Sequence, residues 1–375
     1  MKPDTGRRSW VLALAALLLL PACAGGLTTA ADALTLGVII PQTSGTPAAA
    51  RSVAEGAELA AAEINASRGI RGRRLALVTV DDRGTPEDAA RLVEQLAAQG
   101  VVGIVGPVTD ATVLAAAPAA ERRRIVIISP GATVPLPYGG HFVFRTALPA
   151  RTQAQALAAY LAEGLRIRRV AIVHDSNDYG TMVAQAFAEA ARARGLTITS
   201  RRLYRDGESD FARHVQGVVS ERAQALFVAG YPDEATVLIR QVRAAVRGLV
   251  IAGSDALYTE DTATWAGAAA NDLHVPAGFV PDTPLPMVRG FVGAYRDRFG
   301  RVPDQFAAQA YDAVRIFAFA LRRAGTDREQ IRDAVASLRR FPGVTGEVGF
   351  DRFGDPIRTV MITRLSGGRF VAVGP

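Results

Sequence analysis

The side chains that most often carry covalent chemistry are nearly missing from this chain. Its 375 residues include one cysteine, Cys23, and four histidines. With no second cysteine an intramolecular disulfide is excluded. His141, His174, His214 and His274 stand at no metal-ligand spacing and in no HExxH arrangement. No metal and no cofactor is therefore expected. A Gly-x-Ser-x-Gly elbow is missing as well, which removes a common serine-nucleophile signature. Lysine is reduced to Lys2, so every later basic residue is arginine. The arginines fall in short groups such as 71–74 and 122–124 without the interleaved aromatics of a stacking surface, so nucleic-acid binding is not expected. The apolar run at 10–20 is too short to cross a bilayer as a helix.

What is present begins with that run. Lys2, Arg7 and Arg8 precede it, and Leu20-Pro21-Ala22-Cys23 closes it. Positive charge followed by a short apolar stretch has the form of an export signal. The closing four residues resemble a bacterial lipobox, which implies cleavage before Cys23 and a lipid on its sulfur. The alternative is an ordinary signal peptide cut at Ala22 or Ala31, with Cys23 incidental. Arg7-Arg8-Ser9-Trp10 also resembles a twin-arginine motif, so the export route stays open. Residues 1–22 are set aside from fold reasoning, and the mature chain is expected in the periplasm or cell envelope, lipid-anchored. The formal charge of +7 falls by two when Lys2, Arg7, Arg8 and Asp4 leave with the signal, a modest value for the length.

With 49% hydrophobic residues the mature chain can bury a large core. From Leu34 it alternates short apolar runs with longer amphipathic ones, the pattern of a parallel sheet with crossover helices. Strands are expected at 34–40, 75–81, 101–105 and 124–128, with helices at 52–67, 86–98 and 110–121. A second cycle follows 142–148: strands at 170–175, 197–204, 225–229 and 248–253 alternate with helices at 151–164, 180–194, 210–220 and 232–245. The C-terminal part reads as helices at 286–299, 307–324 and 327–339, then strands at 359–365 and 369–373 joined by Ser366-Gly367-Gly368, a hairpin signal. Lacking a parallel sheet of their own, these late elements must complete the earlier lobes. The fold class is thus α/β with two parallel-sheet lobes. The expected division is 34–148 with about 280–348 in one lobe, and 149–279 with about 349–375 in the other.

Specific strings recur along this frame: Glu55-Gly56-Ala57-Glu58-Leu59-Ala60, Asp81-Asp82, Val105-Gly106-Pro107, Ser129-Pro130-Gly131-Ala132-Thr133-Val134-Pro135, Phe144-Arg145-Thr146, Asp178-Tyr179-Gly180, Gly230-Tyr231, Ala310-Tyr311-Asp312-Ala313 and Phe341-x-Gly343-x-Thr345-Gly346. In order and spacing they resemble the periplasmic substrate-binding proteins of branched-chain amino-acid ABC importers, the Leu/Ile/Val-binding family. The resemblance implies a type I periplasmic-binding fold, two doubly wound lobes joined by three crossovers, placed here at 145–149, 275–280 and 349–358. It also implies a monomer that binds a small amino acid or analogue and meets a permease in the inner membrane.

Loops at the carboxyl ends of parallel strands, running into helix N-termini, suit a ligand carboxylate. Three such loops lie in the first lobe, at 42–46, 106–112 and 129–135. By resemblance Gly131, Ala132 and Thr133 sit where the family holds an α-carboxylate, Gly131 through its backbone and Thr133 through backbone and hydroxyl. A local turn cap is the alternative for Thr133. Tyr179 matches the family's pocket tyrosine, Tyr231 follows an apolar strand at another cleft-facing loop, and Asp255 matches the acid that pairs with a ligand ammonium. Half-buried tyrosines and a helix cap near Thr259 are the alternatives. Tyr258 stands beside this group.

Two departures matter. Asp110 stands where the family usually has serine, and its carboxylate would repel an amino acid's own unless it turned away to cap its helix. Thr109 could supply the missing hydroxyl. Residues 46–50 are small and apolar where an aromatic often packs on the ligand, so a urea, an amide or an aromatic acid remains open beside leucine. A lipoprotein of the same fold that binds another envelope protein is the second reading; its site residues would not converge. An enzyme with Rossmann-like lobes would need a Gly-x-Gly-x-x-Gly after the first strand, and 37–45 has none.

Overall fold

The computed structural model describes residues 33–43, 47–136 and 141–374. The export signal, Cys23 and 44–46 of the first cleft loop lie outside the described residues. Among the described residues no helix is long and apolar enough to cross a membrane.

The first sheet contains β1 (Leu34–Ile40), β2 (Leu75–Asp81), β3 (Gly103–Val105), β4 (Ile127–Ser129) and β5 (Val143–Arg145) in the order β2-β1-β3-β4-β5, all parallel. The inner strands β3 and β4 are buried throughout, as sheet covered by helices on both faces must be. Helices α1 (Pro47–Ala66), α2 (Pro86–Ala98) and α3 (Asp110–Arg123) connect the strands. The first of these begins five residues before the expected start, because Pro47 fits a first helical turn: its missing N–H is one that no helix would use there. Residues 47–50 are therefore helix, not loop.

The second sheet runs β15-β14-β10-β9-β8-β6-β7. Its parallel part is β6 (Arg169–Asp175), β7 (Thr197–Tyr204), β8 (Ala225–Ala229), β9 (Val250–Gly253) and β10 (Leu273–Ala277). The tail strands β14 (Met361–Ser366) and β15 (Arg369–Gly374) add antiparallel, so this sheet is mixed where a parallel one was expected. A hairpin through Gly367-Gly368 can only return antiparallel. Around the sheet pack α4 (Ala150–Ala159), which ends in a wide turn at Tyr160–Gly164, α5 (Asp178–Ala193), α6 (Ala212–Ser220), α7 (Pro232–Ala245) and α8 (Glu260–Ala266). Phe187 of α5 stacks on Phe227 of β8, with ring centroids 3.9 Å apart.

The late helices α9 (Pro286–Phe299), α10 (Gln305–Ala324) and α11 (Arg328–Ala336) return to the first lobe, where their apolar faces join one core with β1 to β5. The helix α10 lies along α1, and the backbone approach is close: a Cβ on Gly56 would stand 2.1 Å from the carbonyl oxygen of Ala307. A small antiparallel sheet not expected from the pattern follows, formed by β11 (Phe341–Gly343), β12 (Gly346–Phe350) and β13 (Pro356–Ile357). Buried Asp312 of α10 ties its turn down, accepting from the N–H groups of Val344 and Thr345, both at 2.9 Å, and from the Thr345 hydroxyl at 2.7 Å.

Three segments pass between the sheets and meet at Arg358. Its guanidinium donates to the carbonyls of Gly278, Thr345 (2.8 Å) and Thr146 (2.7 Å). Burial pulls its pKa down to about 10.

Gly56→Ala forces the α1–α10 backbones apart. The expected cost is about 1–3 kcal/mol, read as a lower urea midpoint at unchanged slope; an unchanged midpoint would show that the helices do not approach as described.

Candidate functional site

The carboxyl ends of β3, β4, β6, β8 and β9 open onto one cleft. On the first-lobe wall, Thr109 caps α3, its hydroxyl accepting from the Thr112 N–H at 3.4 Å and bonding the Thr112 hydroxyl at 2.9 Å. Its oxygen thus serves the N-terminus of its own helix. The neighbouring Asp110 turns neither away nor onto its helix. Its Oδ1 accepts from the N–H of Thr133 at 2.5 Å and of Val134 at 3.1 Å, and its Oδ2 from the Thr133 hydroxyl at 3.1 Å.

Those donors come from the turn after β4. Gly131 and Ala132 direct their N–H groups at the Ser129 hydroxyl oxygen (3.4 and 3.1 Å). A Cβ on Gly131 would meet the Val108 carbonyl oxygen at 2.3 Å, so only glycine lets the two loops touch. Behind the turn, fully buried Arg145 donates to the carbonyls of Ala132 (3.2 Å) and Val134 and pairs with Asp355 at 2.6 Å. The Thr133 carbonyl accepts from Ala150 N–H at 3.0 Å, so the turn also touches the start of α4 in the second lobe.

On the facing wall, Asn177 caps α5 through Gly180 N–H (2.7 Å) and fixes the helix that carries Tyr179. The Tyr179 hydroxyl donates to Asp255 Oδ1 at 2.8 Å, and Gln153 Nε2 donates to Asp255 Oδ2 at 3.1 Å and to the Leu148 carbonyl at 2.8 Å. Tyr231, at the N-terminus of α7, stacks on Tyr179 with centroids 5.0 Å apart and stays partly exposed. Asp255 opens the short turn after β9, and the cap of α8 is Thr259, which accepts from Thr262 N–H at 3.2 Å. Its carboxylate is thus free of the capping role and faces its partners in the cleft. The ring of Tyr258 is buried against Phe370 in the second-lobe core.

Electrostatics link the two walls. Burial pushes the Asp255 carboxyl above its ordinary value, and the charge of Asp110 across the cleft adds to this, against the bonds from Gln153 and Tyr179. Burial also pushes the Tyr231 hydroxyl up to about 12, with Asp110, Asp255 and Asp175 adding to the effect. Among the described residues no group of three or more His, Cys, Asp or Glu side chains is arranged to hold a metal ion.

The structure thus brings Asp110, Gly131, Ala132 and Thr133 together on one wall and Tyr179, Tyr231 and Asp255 on the other. Sequence reasoning missed Gln153, a polar residue on an otherwise ordinary helix. It also gave no role to Arg145, although Phe144-Arg145-Thr146 was in view.

The sequence profile of a family described as periplasmic binding protein matches residues 33–369. A Leu/Ile/Val-binding protein of Rhizobium johnstonii is 28% identical over 346 residues, 90% of this chain and 93% of that one. A leucine-, isoleucine-, valine-, threonine- and alanine-binding protein of Pseudomonas aeruginosa is 25% identical over 95% of this chain and 94% of its own. The branched-chain amino acid transporter substrate-binding protein of Streptococcus pneumoniae, solved with isoleucine, superposes with a TM-score of 0.81 at 27% identity, covering 92% of this chain and 100% of that one.

The raised Asp255 carboxyl has a stability consequence. The folded state holds its proton more tightly than the unfolded chain does, so this contribution is present below the ordinary value of 3.8 and is lost as the pH rises through the raised one. In Asp255→Asn the amide oxygen can still accept from Tyr179, so the variant should gain stability relative to the unsubstituted protein as pH rises from 4 to 7. Parallel pH–stability curves from urea melts would show that this carboxyl titrates as an exposed one.

Proposed function

The chain belongs to the periplasmic binding protein family, in its branched-chain amino-acid ABC transporter branch, and we propose that it is the extracytoplasmic solute-binding component of an importer. It captures a small solute of the amino-acid or amide kind between its lobes and presents it to a membrane permease. The observation that carries this reading is proximity: Asp110, from the first sheet's strand ends, lies close enough for its charge to act on Asp255 and Tyr231 from the second's. A protein-binding lipoprotein has no need of that arrangement. Asp255 and Tyr179 offer acceptor oxygens to a nitrogen-bearing end of the ligand, while Tyr231 offers a flat apolar face.

No bond chemistry is involved. A ligand that touches both walls binds the closed form better than the open one and shifts the population toward it, which is the form a permease can distinguish. The amino-acid ligands named for the relatives support a solute of similar size. Cys23 supplies the anchor in this reading, holding a monomer at the membrane surface.

Thermal unfolding against amino acids, amides, ureas, amines and aromatic acids tests the proposal. A ligand at about a hundredfold excess over its Kd stabilises by about 2.7 kcal/mol, a rise of several degrees in Tm. One class should produce it, and Thr133→Ala and Tyr179→Ala should each reduce it. No shift with any class would transfer the weight to the protein-binding lipoprotein.

A further inference from the structure

The turn after β4 is built to hold a carboxylate, and it already holds one. Thr133 N–H, Val134 N–H and the Thr133 hydroxyl converge on the two oxygens of Asp110. The remaining donors of the turn, on Gly131 and Ala132, are spent on Ser129, whose own hydroxyl goes to the Pro107 carbonyl at 2.7 Å. The hydroxyl of Thr109 caps α3. On the opposite wall Ala256 N–H is directed at the Tyr179 oxygen (3.4 Å) and Gly180 N–H at Asn177. An incoming carboxylate therefore finds the N–H donors of the turn after β4 already taken.

Acceptors are in the reverse condition. A carboxylate offers about four lone-pair sites. Asp110 uses three of its own, and Asp255 uses two, for Tyr179 and Gln153. Among the described residues no arginine or histidine forms an ion pair with either. The cleft thus carries one uncompensated carboxylate on each wall, with roughly three open acceptor sites between them, and an ammonium group has three donors. The field of these charges also reaches Tyr231.

We propose that the cleft takes a small organic cation, an amine with no carboxylate group, and that Asp110 excludes zwitterionic amino acids by filling the anion seat of Thr133 and Val134. This rests on the solute-binding reading above and replaces the amino-acid or amide solute named there with an amine. A zwitterion would have to displace Asp110 from three hydrogen bonds and leave a third carboxylate beside the two already there, whereas an amine meets only the open acceptors.

Calorimetric titration of the purified protein with matched series decides it. For leucine, valine and phenylalanine skeletons the probes are the amino acid, the amine lacking its carboxylate, and the acid lacking its amino group. In the skeleton that fits, the amine should bind at least about tenfold tighter than the amino acid, with no heat from the acid. Asp110→Ser vacates the seat and should reverse the order. Asp110→Asn keeps the size and one acceptor oxygen, and should weaken amine binding even if the serine variant folds poorly. An amino acid or acid that binds the unmodified protein as tightly as its amine overturns the proposal and leaves solute binding standing. So does an order of affinities unchanged by both substitutions, or binding only of an uncharged urea or amide. Binding by no compound of any class overturns the solute-binding reading itself, and this inference with it.

Discussion

Everything the cleft does depends on Arg358. Standing in the third segment that passes between the sheets, its planar guanidinium reaches the carbonyls of Thr146 and Gly278 in the other two and that of Thr345 in the β11–β12 turn. A guanidinium fixes donor directions rigidly, so three chain segments that approach from different parts of the fold are held in one relation to each other. Asp312, which holds the Val344–Thr345 turn, and the Thr146 hydroxyl, which donates to the Gln309 carbonyl at 2.9 Å, tie this junction to α10. The first-lobe core and the hinge are therefore continuous.

A second arginine does similar work on the ligand side. Arg145 lies fully buried behind the turn after β4, donating to two of its carbonyls while Asp355 balances its charge. The Ala132 and Val134 carbonyls thus point back at a cation, while the N–H groups of Thr133 and Val134 point at Asp110. Buried polar groups must find partners, and those two N–H groups find the carboxylate of Asp110. Asp255 is supported by neutral donors only, so burial acts on its charge without a cation to offset it.

Much of the frame was legible in the sequence. The strands β7 and β8 and the helices α7 and α9 fall where apolar periodicity puts them, because buried strands and amphipathic helices leave patterns of period two or 3.6 whatever surrounds them. Ends were less legible. Helix α1 extends back through Pro47, and β3 begins two residues later than its apolar run, since a run of apolar residues marks burial and not hydrogen bonding. The little sheet of β11 to β13 left no pattern at all, being short, rich in glycine and proline, and held by Asp312 from a distant helix.

The site divides the same way. The residue types and their order along the chain were sufficient for the family and for the α/β fold with its two main sheets, and they singled out Tyr179 and Asp255, which the fold brings within hydrogen-bond distance of each other. They could not show that Thr109 caps its own helix, that Gln153 supports Asp255, or that Tyr258 is buried in the second-lobe core. Nor could they show where the Asp110 side chain goes. That was decided only when two loops, separated by more than twenty residues of chain, were brought to the same sheet edge, because a hydrogen bond depends on distance and direction in space and neither is written in the spacing of residues along a sequence.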